Sequence, residues 1–281
     1  MRLLEASDIL TVNITVYGPP GTGKTSLGVT SPAPLILLSE KQGVLHIKQA
    51  AKRLKVPVPP VLLMSSLDDY RGIIKAAHGD RGKPFGVYAK DGALVYSGPW
   101  PETIVIDSLT DVARIVVSEI HGTAPPKPGV DGLPVNSQRY WSALQDRLQA
   151  IITAFRDIPI SVLFLCLSTD KMAGEEGSQV RAVAPNLPMN SLPGFLSAAS
   201  NVVGHSYRGE KVVDGKQRVI YGVMFAGPEA FMLKGCAGLK GIERPDVGKW
   251  MSAIMTDLVT DDIGGQYSVT TEQEGATKDA I

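Results

Sequence analysis

The sequence has no excess charge of either sign: 28 Lys and Arg stand against 28 Asp and Glu. That balance excludes a global electrostatic pull toward nucleic acid or an anionic membrane, so any basic surface must be local. Cysteine is nearly absent, with only Cys166 and Cys236. Cys166 lies inside the apolar run SVLFLCLS, where a thiol behaves as a small buried hydrophobe and not as a disulfide partner, which points to a reducing compartment. No stretch reaches the ~18 apolar residues that a bilayer span requires. The opening MRLLEASDIL lacks a basic flank followed by a long apolar core, as a secretory signal would have. The expectation is a cytoplasmic protein without membrane contact. No internal repeat is visible.

What is present is the material of a globular core, with 44% apolar and 20% charged residues. Although 281 residues exceed the usual ~100–200 per domain, α/β domains of ~200–250 residues are common. The reading is one domain over residues 1–260 and a polar, acidic, disordered tail over 261–281. Strand-like runs alternate with helical periodicity, giving an α/β fold with a mostly parallel central sheet flanked by helices. TVNITVYG ends in glycine and reads as a first strand, PLILLSE as a second, TIVIDS as a third and ISVLFLCLS as a fourth, ending at Ser168 and Thr169. Residues 84–101 carry Asp91-Gly92 between two short apolar runs, the mark of an inserted type I′ hairpin. Ser108 and Asp111 fit a capping box for the next helix. Trp141, Leu144, Leu148, Ile151, Ile152 and Phe155 have helical spacing over 137–157, predicting an apolar face on the sheet, with Asn136 as its cap. Residues 121–136 and 170–191 are rich in proline, glycine and polar residues and read as two long loops. Two runs flanking Asp214-Gly215 predict a C-terminal β-hairpin that extends the sheet, and a short helix near 247–259 closes the fold.

Chemistry enters with GPPGTGKT: Gly18, Pro19, Pro20, Gly21, Thr22, Gly23, Lys24 and Thr25, followed by Ser26. It fits G-x-x-x-x-G-K-[ST], a match expected by chance in a chain this long on the order of one time in a hundred. The motif follows a strand and opens a helix, so backbone N–H groups converge on anionic oxygens at the helix's positive end. Lys24 is expected on the β- and γ-phosphates of ATP and the Thr25 hydroxyl on magnesium (Mg2+). Asp107 ends the strand IVID at the carboxyl edge, where parallel sheets place their ligand crevice. It would hold magnesium through the ion's water shell, since that ion takes few protein carboxylates.

The residue after Asp107 is Ser108, where AAA-type ATPases carry a water-activating glutamate. The base must then come from elsewhere; RecA-like ATPases carry it at the end of the strand that follows the P-loop helix, and PLILLSE, which is similar in place, ends in Glu40 there. The order of parts, namely P-loop, strand-end glutamate, Asp-Ser strand end, flexible loop, helix, polar-tipped strand and second flexible loop, resembles RecA over roughly residues 10–250. Short length, the GPPGTGKT form of the loop and the ending near Arg244-Pro245-Asp246 look most like phage-encoded RecA-like ATP-binding proteins, including Sak-type single-strand annealing ATPases. This resemblance implies a RecA-like P-loop NTPase fold and a magnesium-dependent ATPase, with Glu40 as base and Ser168 and Thr169 sensing the γ-phosphate. It implies a homo-oligomer with ATP at subunit interfaces, a basic finger among Lys234, Lys240 and Arg244, and work in DNA recombination or annealing beside a single-strand DNA-binding protein. RecA's two DNA-binding loops fall on the two loops here, which carries single-stranded DNA contact onto Lys127, Lys171 and Arg181. Neither loop contains Phe, Tyr or Trp, so base stacking adds little there. Two alternatives stay open: a nucleotide-gated phage replication or packaging protein that does not touch DNA, and a P-loop small-molecule kinase. A kinase generally needs an arginine-bearing lid, and the long loops supply only Arg139 and Arg181.

Overall fold

A computed structural model describes residues 11–123, 137–173, 180–213, 216–236, 238–239 and 241–260. Lys127, Asn136 and the 261–281 tail lie outside the described residues. β1 (Asn13–Gly18) is buried at every position and runs into the phosphate-loop sequence, after which α1 spans Lys24–Gly28. β2 (Pro34–Leu38), α2 (Gly43–Leu54), β3 (Val61–Leu63) and α3 (Leu67–Ala77) follow. The inserted hairpin is β4 (Phe85–Tyr88) and β5 (Leu94–Gly98). Then come β6 (Thr103–Asp107), α4 (Leu109–Thr123), α5 (Ser137–Arg156) and β7 (Ser161–Ala173). β8 (Val180–Pro185), α6 (Ser191–Ala199), β9 (Val202–Val213), β10 (Lys216–Met224), β11 (Ile242–Glu243) and α7 (Val247–Thr260) complete the order.

The central sheet runs β11-β10-β9-β1-β7-β6-β2-β3. Every pairing from β9 to β3 is parallel, while β10, β11 and the β7–β8 pair are antiparallel. Parallel neighbours need crossover helices, which cover both faces and leave the strands as apolar runs. On one face Tyr17, Leu37, Ile106 and Phe164 pack beneath α3, α4, α5 and α6. On the other Val16, Leu38, Val105 and Leu165 pack beneath α1, α2 and α7. Each fully buried side chain of this size contributes roughly 1.5–3 kcal/mol. The expected α/β sheet with its C-terminal hairpin extension is therefore the observed one.

Several local expectations are corrected. The 84–101 hairpin does not turn through type I′, which needs φ above zero at both central residues. Only Gly92 has it, at φ 87°. The Ala89 N–H donates to Ala93 O and the Gly92 N–H to Ala89 O, so Lys90-Asp91-Gly92 is a three-residue loop with glycine in the left-handed position. A capping box does form, but at Ser66 and Asp69 on α3. The Ser108 hydroxyl instead donates to the Asp111 carboxylate. Of the predicted α5 face, Leu144, Leu148, Ile152 and Phe155 are buried, whereas Trp141 is 44% exposed. The fourth strand does not end at Ser168 and Thr169: β7 continues to Ala173 and pairs with β8. Much of the second expected loop is thus an antiparallel hairpin followed by α6, because the alternating VRAVAP run pairs with the polar end of β7.

Candidate phosphate-binding site

β1, β7, β6 and β2 bring their carboxyl ends to one edge. Gly18 is in register with Leu167, Asp107 with Leu165, and Leu38 with Asp107. The loop leaving β1 needs glycine at two points, Gly21 at φ 78° and Gly23 at φ 86°, where an L side chain is strained. Gly18 is required for space: a Cβ there would come within 2.2 Å of the Ser206 hydroxyl oxygen and 2.4 Å of the Ser206 carbonyl oxygen. Pro19, Pro20 and Gly21 are exposed at the rim. The Thr22 hydroxyl donates to Pro19 O at 2.9 Å and lies 2.8 Å from the Ser206 hydroxyl, tying the loop to β9.

The Lys24 Nζ donates to Gly18 O and Pro19 O, each at 2.7 Å. Burial lowers its pKa from 10.5 to about 8, a pull opposed by the charge of Asp107. The Thr25 hydroxyl donates to the Asp107 carboxylate. Burial raises the Asp107 pKa, the Thr25 hydrogen bond and Lys24 lower it, and Asp111 and Glu40 raise it further. A carboxylate pushed this way by burial is one that a divalent cation would hold ionised. Thr25 and Asp107 thus fit magnesium, a hard ion that takes one or two protein oxygens and fills its shell with water and phosphate. Among the described residues no group of three or more His, Cys, Asp or Glu forms a metal cage.

Glu40 lies two residues past Leu38, exposed, and close enough for its charge to act on Asp107. Ser26 accepts a hydrogen bond from Arg53 of α2 at 3.0 Å. Ser168 and Thr169, half-buried, are in register with Pro185 and Ala184 just beyond the edge that Leu167 shares with Gly18. They stand next to the loop, inside a strand and not at its tip. Lys171 and Arg181 are in register with Ala182 and Met172 of the β7–β8 hairpin. Of the finger candidates, Lys234 donates to Ser200 O at 2.6 Å at the end of α6, Arg244 is exposed, and Lys240 lies outside the described residues.

Sequence reasoning missed the partners on β9 and β10. Ser206 hydrogen-bonds Thr22 and stands against Gly18, and the Tyr221 ring stands beside Gly23, its Cδ1 3.5 Å from where a Cβ would stand. His205 packs edge-on against Tyr17 at 5.1 Å. Burial lowers its pKa and the charge of Lys24 adds to that. None belongs to a local motif; only the pairing of β9 with β1 brings them here.

A sequence-family profile described as an AAA domain matches residues 11–224, from two residues before β1 to the end of β10. The chain belongs to this family. It is a P-loop ATPase domain in which serine, not glutamate, follows Asp107. No curated protein matches it. Among solved structures it is similar to the flagellar accessory protein FlaH from Methanocaldococcus jannaschii, at 12% identity and TM-score 0.33, over 75% of this chain and 77% of that one. A KaiC-like protein from Pyrococcus horikoshii OT3 matches at 10% identity and TM-score 0.33, over 76% and 77%. A type III secretion system ATPase from pathogenic bacteria matches at 13% identity and TM-score 0.37, over 69% of this chain and 51% of that one.

Proposed function

We propose that this AAA-domain protein binds and hydrolyses Mg-ATP and uses it to act on single-stranded DNA in phage recombination or annealing. The observation that carries the ATPase reading is the convergence of Lys24, Thr25, Asp107 and Glu40 on one sheet edge. Lys24 neutralises charge developing on the γ-phosphate, and Thr25 with Asp107 holds the ion. When bound, the ion would supply further charge neutralisation. Glu40 accepts a proton from the attacking water and orients it. Ser168 and Thr169 lie beside the loop and are suited to respond to the terminal phosphate.

The DNA reading rests on the resemblance to RecA and on Lys171 and Arg181 lying on adjacent strands. With Lys127, that gives three cations per subunit on a chain of zero net charge, so one subunit binds weakly. Useful affinity then requires several ATP-bridged copies along one strand. ATPase assays with and without single-stranded DNA, paired with anisotropy of a labelled oligonucleotide in ATP, ADP and no nucleotide, test both halves. Stimulated turnover and ATP-dependent binding are expected. Hydrolysis without DNA binding at low salt would leave the nucleotide-gated assembly protein as the better reading.

A further inference from the structure

The hairpin of β9 and β10 leaves the sheet beside the phosphate loop, and its register fixes which side chains share a face. Ser206 pairs with Val223, and two residues on, Arg208 pairs with Tyr221. Strand side chains alternate, so Ser206, Arg208 and Tyr221 lie on one face. That face belongs to α1: Val223 packs in the same cluster as Leu27, Ser206 touches Gly18 and Thr22, and the Tyr221 ring lies against Gly23. Tyr221 is still 40% exposed. Arg208 is exposed beside it, its Cβ within about 4.5–5.5 Å of that of Tyr221 by antiparallel geometry.

We propose that Arg208 and Tyr221 form a second wall of the nucleotide site, contributed in cis by the hairpin. The Tyr221 ring is a platform for the part of the ligand that leaves the phosphate cradle, its sugar and base. The Arg208 guanidinium meets the phosphates from the side opposite Lys24. An aromatic face accepts any base, and a guanidinium suits phosphate through paired N–H donors. Three observations meet here: an aromatic ring against a loop glycine that would meet any added side chain, a cation on the neighbouring strand and the same face, and a hydroxyl bond locking that strand to the loop. The inference rests on the P-loop holding a nucleotide and adds residues to that site.

Calorimetric titration of the full chain with ATP, ADP and inorganic tripolyphosphate separates the roles. Tyr221→Ala is expected to weaken ATP and ADP about ten-fold and to leave tripolyphosphate unchanged, whereas Tyr221→Phe binds like wild type. Arg208→Ala is expected to weaken ATP and tripolyphosphate together by roughly five- to ten-fold, with Arg208→Lys recovering part of the loss. If Tyr221→Ala weakens tripolyphosphate as much as ATP, the ring only props the loop and the platform is overturned. ATP binding unchanged in both alanine variants overturns the pair while the P-loop reading stands. No nucleotide binding by the wild type, in a chain that melts cooperatively, overturns both.

Discussion

One strand, β9, lives in two environments. From Val202 to Ser206 it is buried, parallel to β1 and covered on both faces. From Arg208 outward its described side chains are half-buried or exposed, Val212 reaching 65%, and β10, its one strand neighbour among the described residues, is exposed from Lys216 to Tyr221. The inner half is fixed by packing. A two-stranded ribbon with water on both faces is marginal by itself, so the outer half takes its position from where it is anchored. That anchor is the phosphate loop, through Ser206 and Tyr221. The contrast assigns the phosphate cradle of Lys24, Thr25 and Asp107 to the packed edge and leaves the outer ribbon, which carries Arg208 and Tyr221, as the part whose position the loop controls.

The strongest way to sharpen this contrast is at Lys24. Lys24→Ala should lower ATP turnover by at least about 10²–10³-fold, the scale of losing one preorganised charge-stabilising donor. Circular dichroism should still report a folded chain. Val212→Ser on the outer ribbon should leave turnover alone and stability within about 0.5 kcal/mol. Equal losses in the two variants would erase the distinction between the halves.

Next in size is Glu40. Glu40→Gln keeps the shape and hydrogen-bonding reach but cannot accept a proton, so turnover should fall about 10²-fold while ATP binding persists. Unchanged turnover would move the base to Asp111, whose charge also acts on Asp107. Breaking the anchor itself comes third. Gly18→Ala places a methyl group against the hydroxyl and backbone carbonyl of Ser206. Overpacking of this kind should cost about 1–3 kcal/mol, read as a lower urea midpoint. A wild-type midpoint would mean that β9 yields freely, and the ribbon would then not be held by the loop.

Much of this was legible in the sequence because the information is local. GPPGTGKT after an apolar run specifies strand, loop and helix start together, and Asp107 ends its strand where the sheet edge lies. Hairpins were found through Asp-Gly pairs, yet the turn at Asp91-Gly92 was misassigned, since Asp-Gly suits both a two-residue and a three-residue loop. The β7–β8 hairpin was hidden because polar, glycine-containing sequence has the composition of a loop until a partner strand takes up its hydrogen bonds. Ser206 and Tyr221 were invisible for a stricter reason. They lie more than 180 residues from the loop they touch, and no spacing rule links them to it.

The last effect expected is the dependence of stability on pH through Lys24, a gradual change and not a loss. Its pKa in the folded chain is about 8, against 10.5 when unperturbed. Between those values the unfolded chain binds a proton that the folded chain has released, so unfolding free energy rises with pH across that window. Below pH 8 both states are protonated, and the cost of burying the charge is felt in full. Cys166 and Tyr17 act the other way at high pH, because burial raises both and only the unfolded chain ionises. Comparing wild type with Lys24→Met cancels those two contributions. The methionine variant should hold its largest relative stability near pH 7, on the order of 3 kcal/mol at most from burial alone. Loss of the hydrogen bonds to Gly18 O and Pro19 O subtracts a constant from that gain. The difference should then shrink steadily from pH 8 to 10.5 in nucleotide-free, magnesium-free urea titrations. A difference that stays flat would show that the Lys24 ammonium is as well solvated in the folded loop as in the unfolded chain, and that burial does not prime it for an anion.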